Sequence, residues 1–131
     1  MSWQSYVDSS LVGSGKIDKA IIASIAGDSV WAASPVFHIK PHELKIIAEI
    51  LSNSERERDD AFAEGLYVAG ERFVMTRAED GSLYARAGRE GVCIAKSNRA
   101  IIIGHHPETA VAGDANATVE TLADYLISVG Y

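Results

Sequence analysis

From residue 65 onward, short apolar runs alternate with links of only a few residues, and this spacing limits the fold more than any other feature of the sequence. The links are rich in Gly, Asp, Asn and Ser, which is typical of turns between strands. The pattern predicts five strands, over residues 66–69, 72–77, 82–87, 92–96 and 100–104. A parallel pair needs a crossover of about a dozen residues or more, so these links predict an antiparallel meander.

Two earlier apolar runs are predicted to extend this sheet as a hairpin. Residues 21–25 and 30–33 flank the turn residues Gly27-Asp28. A short helix over residues 16–20 is expected to precede the hairpin. Because side chains alternate along a strand, Trp31 is expected on the face opposite its two neighbours.

Helical spacing marks both ends of the chain. Near the beginning, Trp3 and Tyr6 lie three residues apart, Ser2 is a good N-cap, and Gly13 is a typical stop. Residues 114–129 are predicted to form the last helix. The apolar face of this last helix is expected to contain Ala115, Val119, Leu122, Ala123 and Leu126.

A third helix is predicted to begin at Pro41, since proline is favoured at the first helical position. Its apolar stripe is Leu44, Ile47, Ala48 and Leu51. Glu43, Lys45 and Glu49 are expected to face water. The charged run Ser-Glu-Arg-Glu-Arg-Asp-Asp over residues 54–60 is expected to be a solvated loop or helix end, and residues 105–113 a loop.

Together these elements predict an α+β fold. We expect a central antiparallel sheet of about six to seven strands, with helices on both faces. The N- and C-terminal helices are expected to pack together on one face, which brings the chain ends close to each other. The shorter helices are expected to cover the other face.

Composition excludes several classes of protein. With 131 residues and 47% hydrophobic content, the chain is expected to form a single domain over residues 1–131. The net charge of −6 argues against nucleic-acid binding, and no apolar run approaches the about 18 residues of a membrane span. The only cysteine, Cys93, rules out an internal disulfide and fits a reducing cytoplasm. Cys93 lies in a strand-like apolar run, which favours a buried, inert thiol.

No pattern of catalytic, metal-binding or cofactor-binding residues is recognisable. His105 and His106 are adjacent, so they cannot easily converge on one metal, and no zinc motif accompanies them. Gly13-Ser14-Gly15 lacks the spacing of a phosphate-binding loop. We therefore expect no cofactor and no enzymatic activity. Two other hypotheses are a small-molecule sensor with a pocket inside the sheet and, more remotely, an enzyme that uses His105, His106 or Cys93.

Aromatic residues are concentrated on three elements that the predicted fold brings together. These residues are Trp3, Tyr6, Trp31, Tyr125 and Tyr131, half of the ten aromatics. If their rings line a groove, they suit a polyproline II segment, which loses little entropy on binding and exposes unpaired carbonyls to Tyr and Trp donors. The alternative is that the rings only pack the terminal helices against the sheet.

A second group of residues is basic. Six of the 12 cationic side chains lie within the predicted meander: Arg72, Arg77, Arg86, Arg89, Lys96 and Arg99. They could simply protect a solvated sheet edge. Alternatively, they could bind a protein partner or an anionic lipid headgroup, because arginine forms forked hydrogen bonds with such groups.

Four segments resemble a known family. They are SWQSYVD at the beginning, GKIDKAIIAS with GDSVWAAS, VAGERFVMTRAE, and ETLADYLISVGY at the end. In order and spacing over the whole chain they are similar to the profilins, particularly the fungal kind. The resemblance implies a central antiparallel sheet flanked by helices. It also implies a monomeric, cytoplasmic regulator of the cytoskeleton that binds monomeric actin, proline-rich proteins such as formins, and phosphoinositide headgroups.

The resemblance further implies two binding surfaces. The polyproline surface would be formed by Trp3, Tyr6, Trp31, Tyr125, Leu126 and Tyr131. The actin surface would be formed by Arg72, Met75, Arg77, Arg86, Arg89, Lys96, Gly113 and Asn116. Leu126 lies on the apolar stripe of the last helix, so its role at the polyproline surface would be mainly support.

Overall fold

The computed structural model describes residues 2–131, and Met1 lies outside the described residues. Its centre is a seven-stranded sheet in the order β2-β1-β7-β6-β5-β4-β3, in which every neighbouring pair is antiparallel. The strands are β1 (Lys19–Ser24), β2 (Val30–Ala33), β3 (Leu66–Val68), β4 (Glu71–Glu79), β5 (Ser82–Ala87), β6 (Glu90–Lys96) and β7 (Ala100–His106). The predicted meander is confirmed, because β3 to β7 pair in chain order. The β1–β2 hairpin then joins the sheet along β7.

Four helical segments cover the sheet. The N-terminal helix α1 runs as an α-helix over Trp3–Ser5, a π-helix over Tyr6–Leu11 and a 3-10 turn over Val12–Ser14. The other helices are α2 (Pro41–Leu51), α3 (Glu55–Glu64) and α4 (Ala112–Ser128). The Ser2 hydroxyl caps α1 by accepting from the Ser5 N–H, as predicted. The helix ends at Gly15 rather than Gly13, because Gly15 adopts the left-handed conformation (φ 78°).

Two separate hydrophobic clusters lie on the two faces of the sheet. One is formed with α2, α3 and Phe37, and the other with α1 and α4. All five residues predicted for the apolar face of the last helix are buried in the second cluster. The terminal helices therefore share one face and the shorter helices the other, as expected.

The predicted helix over residues 16–20 is wrong. The strand β1 begins at Lys19 instead, and Ala20, Ile21, Ile22 and Ala23 are all buried. The strand lies between β2 and β7 and is covered on both faces, so it contains a continuous apolar run rather than an alternating one. Such a run does not distinguish a strand from a helix by its periodicity.

The predicted orientation of Trp31 is wrong, because β2 contains a β-bulge at this residue. The register between β1 and β2 shifts at Ile22/Ala23, so Trp31 becomes an extra residue between Val30 and Ala32. Trp31 and Ala32 consequently pack against the same cluster, the one that contains α1 and α4. Simple alternation had placed them on opposite faces.

The charged run over residues 54–60 lies largely at the beginning of α3 with none of its residues buried, which agrees with the expected solvated helix end. Two other polar segments differ from expectation. Glu43 is buried rather than solvated, and its carboxylate accepts hydrogen bonds from the N–H groups of Lys40 (2.8 Å) and Gly70 (2.9 Å). His105 and His106 are buried in β7 instead of lying in a loop.

The side chains of His105 and His106 lie on opposite faces of the sheet. His105 packs against Phe37 and Phe73 in the α2 side of the core, and its Nδ1 lies 2.6 Å from the Asp18 carboxylate. The His106 ring stacks on Tyr84, whose hydroxyl lies 2.9 Å from His106 Nε2. Each histidine is therefore held by partners within the fold.

Candidate functional site

Trp3 is the centre of an aromatic cluster at the junction of α1, β2 and the C-terminus. Its ring centroid lies 4.8 Å from Trp31, 5.7 Å from Tyr6 and 5.2 Å from Tyr131. The Tyr131 ring meets Trp3 edge-on, a favourable arrangement for two aromatic rings. We call these four residues and Tyr125, whose ring lies 6.3 Å from Tyr6, the aromatic cluster.

The rings of the aromatic cluster are partly open to solvent. Trp3, Tyr6 and Trp31 are half-buried, whereas Tyr125 is 49% exposed and Tyr131 is 41% exposed. Burial and the neighbouring phenol of Tyr125 raise the pKa of Tyr6. Tyr6 therefore stays protonated at neutral pH and keeps a hydroxyl donor at the surface.

Backbone hydrogen bonds hold the C-terminal residue in place. The Tyr131 N–H donates to the Leu126 carbonyl at 2.7 Å, and the Tyr131 main-chain oxygen accepts from the Arg99 N–H (2.6 Å) and the Ser97 hydroxyl (2.7 Å). The Arg99 guanidinium also lies 5.9 Å from the centre of the Tyr131 ring. The end of the chain is thus fixed to the β6–β7 turn, which positions its ring against Trp3.

A side-chain bond fixes α1 to the sheet on the other side of the cluster. The Gln4 amide donates to the Ala33 carbonyl at 3.0 Å and to the Asp8 carboxylate at 3.1 Å. Val7 and Leu11 are fully buried beneath the helix. The aromatic cluster is therefore a preformed, partly exposed surface of flat rings and phenol donors, which suits an extended apolar ligand with free carbonyls.

A second surface lies on the same face of the sheet, beyond α4. The helix α4 packs mainly on β6 and β7 and reaches β4 and β5 at Arg77 and Ser82, so much of this face of β3, β4 and β5 stays exposed. Tyr67 and Val74 are exposed there, although both are large and apolar. Arg72 and Arg86 lie on the same side by strand alternation. We call this region the open sheet face.

Arg77 joins the open sheet face to the beginning of α4. Its guanidinium lies 3.4 Å from both the Asn116 amide oxygen and the Glu120 carboxylate, and 3.3 Å from the Ser82 hydroxyl. The Ser82 hydroxyl in turn donates to Glu120 at 2.8 Å. The buried Arg77 Nε has no hydrogen-bond partner within the described part of the chain. The network orients α4 against β4 and β5 and places Asn116 beside the arginine.

Comparison with known proteins now identifies the family. A family model for profilin matches residues 1–131. The chain is 44% identical to the profilins of Schizosaccharomyces pombe and Saccharomyces cerevisiae, over 100% of both chains in each case. The chain belongs to the profilin family.

Solved profilin structures agree with this assignment. The crystal structure of Schizosaccharomyces pombe profilin is 43% identical and has a TM-score of 0.92, covering 99% of this chain and 100% of that one. Profilin IA of Acanthamoeba castellanii is 38% identical with the same TM-score and coverage. Mouse profilin IIa, in complex with a double repeat from the FH1 domain of mDia1, is 25% identical with a TM-score of 0.81 and covers 100% of both chains. The predicted profilin fold is confirmed.

Of the residues that the profilin resemblance assigned to polyproline binding, the five aromatic ones meet in the aromatic cluster. The sixth, Leu126, does not reach the surface. Its side chain is 1% exposed and packs in the cluster between α4 and the sheet. Leu126 therefore supports the rings from below and positions Tyr131 through its carbonyl.

The residues assigned to actin binding are not all on one surface. Arg72, Arg77, Arg86 and Asn116 lie on or beside the open sheet face, and Gly113 is exposed in the first turn of α4. Arg89 is exposed in the β5–β6 turn. Met75 is only 4% exposed and belongs to the core on the α2 side, because Phe73 and Met75 alternate with the outward residues of β4. Lys96 extends to the Leu51 carbonyl at the end of α2 (3.0 Å), away from the open sheet face.

Several residues of these surfaces were missed in the sequence. Tyr67 and Val74 face outward on the open sheet face, and alternation with Leu66, Val68 and Phe73 could have identified them. Glu120 and Ser82 could not have been found in this way, because their contact joins residues 38 positions apart.

Cys93 is the only thiol in the sequence. Burial raises the pKa of the Cys93 thiol to about 12, so it is protonated and unreactive at neutral pH. Within residues 2–131, no group of three or more His, Cys, Asp or Glu side chains could hold a metal ion. None of the helices in this range is long and apolar enough to cross a bilayer.

Proposed function

We propose that this chain binds monomeric actin at the open sheet face and a proline-rich segment, such as one from a formin, at the aromatic cluster. The observation on which the proposal rests is the aromatic cluster itself: three half-buried rings and two exposed tyrosines meet where the two ends of the chain converge. The complex of mouse profilin IIa with an FH1 double repeat supports a ligand of this kind. We propose no enzymatic activity.

The aromatic cluster fits a polyproline II helix for two reasons. Proline rings stack on flat aromatic faces, and the segment keeps its extended conformation without losing much entropy. Its carbonyls have no internal partners, so Tyr6 and Tyr125 can donate to them. Leu126 and Val7 fill the space beneath the rings, which keeps the surface rigid before the ligand binds.

Retention on immobilised polyproline tests this surface. Tyr125→Ala should weaken binding by about thirtyfold, because a central aromatic contact commonly contributes about 2 kcal/mol. Tyr67→Ala is the matched control, since Tyr67 is similarly exposed (47% against 49%) but lies on the open sheet face. Both tryptophans belong to the cluster, so ligand binding should change the intrinsic fluorescence of the wild type. Equal retention of Tyr125→Ala and wild type would refute the assignment.

The open sheet face fits a protein partner that has both apolar and acidic groups. Exposed Tyr67 and Val74 provide an apolar centre, and Arg72, Arg77 and Arg86 surround it with guanidinium groups. Interfaces commonly combine an apolar core with arginine in this way. The face lies beyond α4 from the aromatic cluster, so one chain could hold both partners together.

A charge reversal tests the actin surface. Arg86→Glu should weaken actin-monomer binding by about tenfold, because it introduces a like charge opposite an acidic partner. Arg58→Glu is the control, since Arg58 is a partly exposed arginine of α3 whose contact with Asp59 is long (3.9 Å). Unchanged actin affinity in Arg86→Glu would remove Arg86 from the proposed surface. Polyproline retention should be the same for both variants.

The same arginines are the proposed contacts for phosphoinositide headgroups, because guanidinium forms paired hydrogen bonds with phosphate. The net charge of −6 confines such binding to this basic region rather than to the whole surface.

We further propose a cytoplasmic monomer associated with the cytoskeleton. The competing hypothesis of a small-molecule sensor required a pocket inside the sheet, whereas buried side chains occupy both faces of the sheet.

A further inference from the structure

A groove of about 400 Å³ lies between α2, α3 and the edge strand β3, on the α2 side of the molecule. Its floor is apolar and includes Ile46, Ala61 and Leu66. Ile46 of α2 is 40% exposed although it is large and apolar. The volume is enough for one or two large apolar side chains. We call this region the α2–α3 groove.

The rim of the α2–α3 groove is strongly acidic. Glu57, Asp60 and Glu64 lie on one face of α3 at helical spacing, and Glu49 faces them from α2. Arg56 is the only arginine or lysine that lines the groove in the described part of the chain. The four carboxylates and one guanidinium therefore give the rim an excess of negative charge. These residues include Arg56, Glu57 and Asp60 of the charged run, which the proposed actin and polyproline surfaces leave unused.

Within residues 2–131, none of the four rim carboxylates forms a salt bridge. The Ser54 hydroxyl donates to the Glu57 carboxylate and, as the main cause, lowers the pKa of Glu57. Glu57 is therefore ionised across the physiological pH range. Glu43 also lines the groove, but both of its carboxylate oxygens accept backbone N–H groups, so we do not count it with the rim. The rim charges are thus available to a ligand.

We propose that the α2–α3 groove binds a basic segment of a partner protein, in which a large apolar residue is flanked by Lys or Arg. The apolar residue enters the groove between Ile46 and Leu66, and the flanking cations pair with the rim carboxylates. Charge complementarity selects this occupant, because an acidic or proline-rich segment would leave the carboxylates unpaired or repelled.

The α2–α3 groove is separate from the aromatic cluster and shares only Tyr67 with the residues named for the open sheet face. The aromatic cluster belongs to the opposite face of the sheet, with α1 and α4. The groove reaches Tyr67 only at the edge strand β3. A partner in the groove would therefore leave the aromatic cluster free, and the chain could join a basic segment to a proline-rich one. This inference does not depend on the proposed function, and its test needs neither actin nor polyproline.

Selection from a random peptide library on the immobilised full-length chain provides the probes. Synthetic, fluorescein-labelled versions of the selected peptides are then titrated by anisotropy against five proteins. These are the wild type, Asp60→Lys, Ile46→Ser, Tyr125→Ala and the control Asp59→Lys. Asp59 is the neighbour of Asp60 on α3 and is highly exposed, but it does not line the groove. The two lysine variants make the same charge change on the same helix, so a general loss of negative charge cannot explain a difference between them.

The expected result is a set of peptides with Lys or Arg on both sides of a large apolar residue. Their affinity should fall about tenfold in Asp60→Lys and in Ile46→Ser, fall with added NaCl, and change less than about twofold in Asp59→Lys. Tyr125→Ala should bind them like the wild type. Far-ultraviolet circular dichroism verifies that each variant is folded.

Three results would overturn the proposal. One is that no selected peptide distinguishes Asp60→Lys from Asp59→Lys. Another is that the selected peptides are all proline-rich and lose binding only in Tyr125→Ala, which would assign them to the aromatic cluster. The third is that the peptides lack basic residues or bind independently of salt, which would show that the rim carboxylates do not take part.

Discussion

Replacing Trp3 by alanine separates binding from folding more sharply than any other single change. The Trp3 ring meets three other rings, with centroid distances of 4.8, 5.2 and 5.7 Å. Each such pair contributes about 0.5–1.5 kcal/mol beyond the area that it buries. A fully buried aromatic costs about 3–5 kcal/mol when truncated, and Trp3 is only half-buried. We therefore expect the free energy of unfolding to fall by about 2 kcal/mol.

A loss of this size leaves the protein folded, because a domain of this kind has a stability of about 5–15 kcal/mol. Binding should suffer more. Trp3 is the ring on which Tyr6, Trp31 and Tyr131 converge, so its removal both deletes a stacking surface and frees its neighbours to turn. Retention on polyproline should be lost, which corresponds to a decrease in affinity of about thirtyfold or more.

Two measurements on the same protein test this reasoning. Urea unfolding followed by circular dichroism gives the change in stability, and polyproline retention gives the change in binding. Arg86→Glu is expected to leave both unchanged, which makes it a control for the aromatic cluster. If Trp3→Ala fails to fold, the ring is mainly a core anchor. If it folds and is retained as strongly as the wild type, the ligand does not use Trp3.

Two other predictions concern buried groups. Glu43→Ala leaves the N–H groups of Lys40 and Gly70 without an acceptor. The free energy of unfolding measured in urea should therefore fall by about 2–3 kcal/mol. The control is Lys45→Ala, which changes an exposed residue of the same helix and should cost less than about 0.5 kcal/mol. A Glu43→Ala variant as stable as Lys45→Ala would contradict this role. Cys93 has a pKa raised to about 12, so its contribution to stability is complete below the pKa of an unfolded thiol (about 8.5) and is lost as the pH rises toward 12. Relative to Cys93→Ala, the free energy of unfolding of the wild type should fall by up to about 1.4 kcal/mol per pH unit in that range. The Cys93 thiol should react with a thiol reagent at pH 8 only after the protein unfolds. A parallel pH dependence of stability in the two proteins would contradict this reasoning.

The two proposed sites on the α4 face depend on how the C-terminal helix is placed. The helix α4 rests mainly on β6 and β7 and leaves much of the same face of β3 to β5 exposed. At one end it brings Asn116 to Arg77, and at the other it brings Tyr125 to Tyr6. One rigid element thus separates the aromatic cluster from the open sheet face. A chain with this arrangement can hold two partners without their competing for the same residues.

The α2–α3 groove illustrates how a solvated charged run can acquire a role through its neighbours. By itself the run over residues 54–60 shows only high charge and low hydropathy, which is typical of a solvated segment. In the fold it forms most of α3, and Ala61 turns inward while Glu57 and Asp60 border an apolar floor. The charge pattern became informative only when the apolar residues beside it were known.

The sequence was sufficient for features that depend on neighbouring residues. The short links of the second half require antiparallel pairing, because no crossover fits them. Pro41 marks the beginning of α2, and the 3.6-residue period of α4 identifies its buried face, from Ala115 to Leu126. The family motifs at the two ends, together with Trp31 in the segment GDSVWAAS, also singled out the five rings that the structure brings together.

The tertiary structure alone decided features that join distant parts of the chain. A bulge opposite Ile22 turns Trp31 toward the terminal helices, which strand alternation cannot foresee. Glu43 is buried because Gly70, 27 residues away, brings an N–H to it. Lys96 extends to the Leu51 carbonyl, 45 residues away on the α2 side, and so lies away from the surface to which the resemblance assigned it. In each case the contact that fixes the side chain joins residues far apart in the sequence, so the pattern of neighbouring residues cannot reveal it.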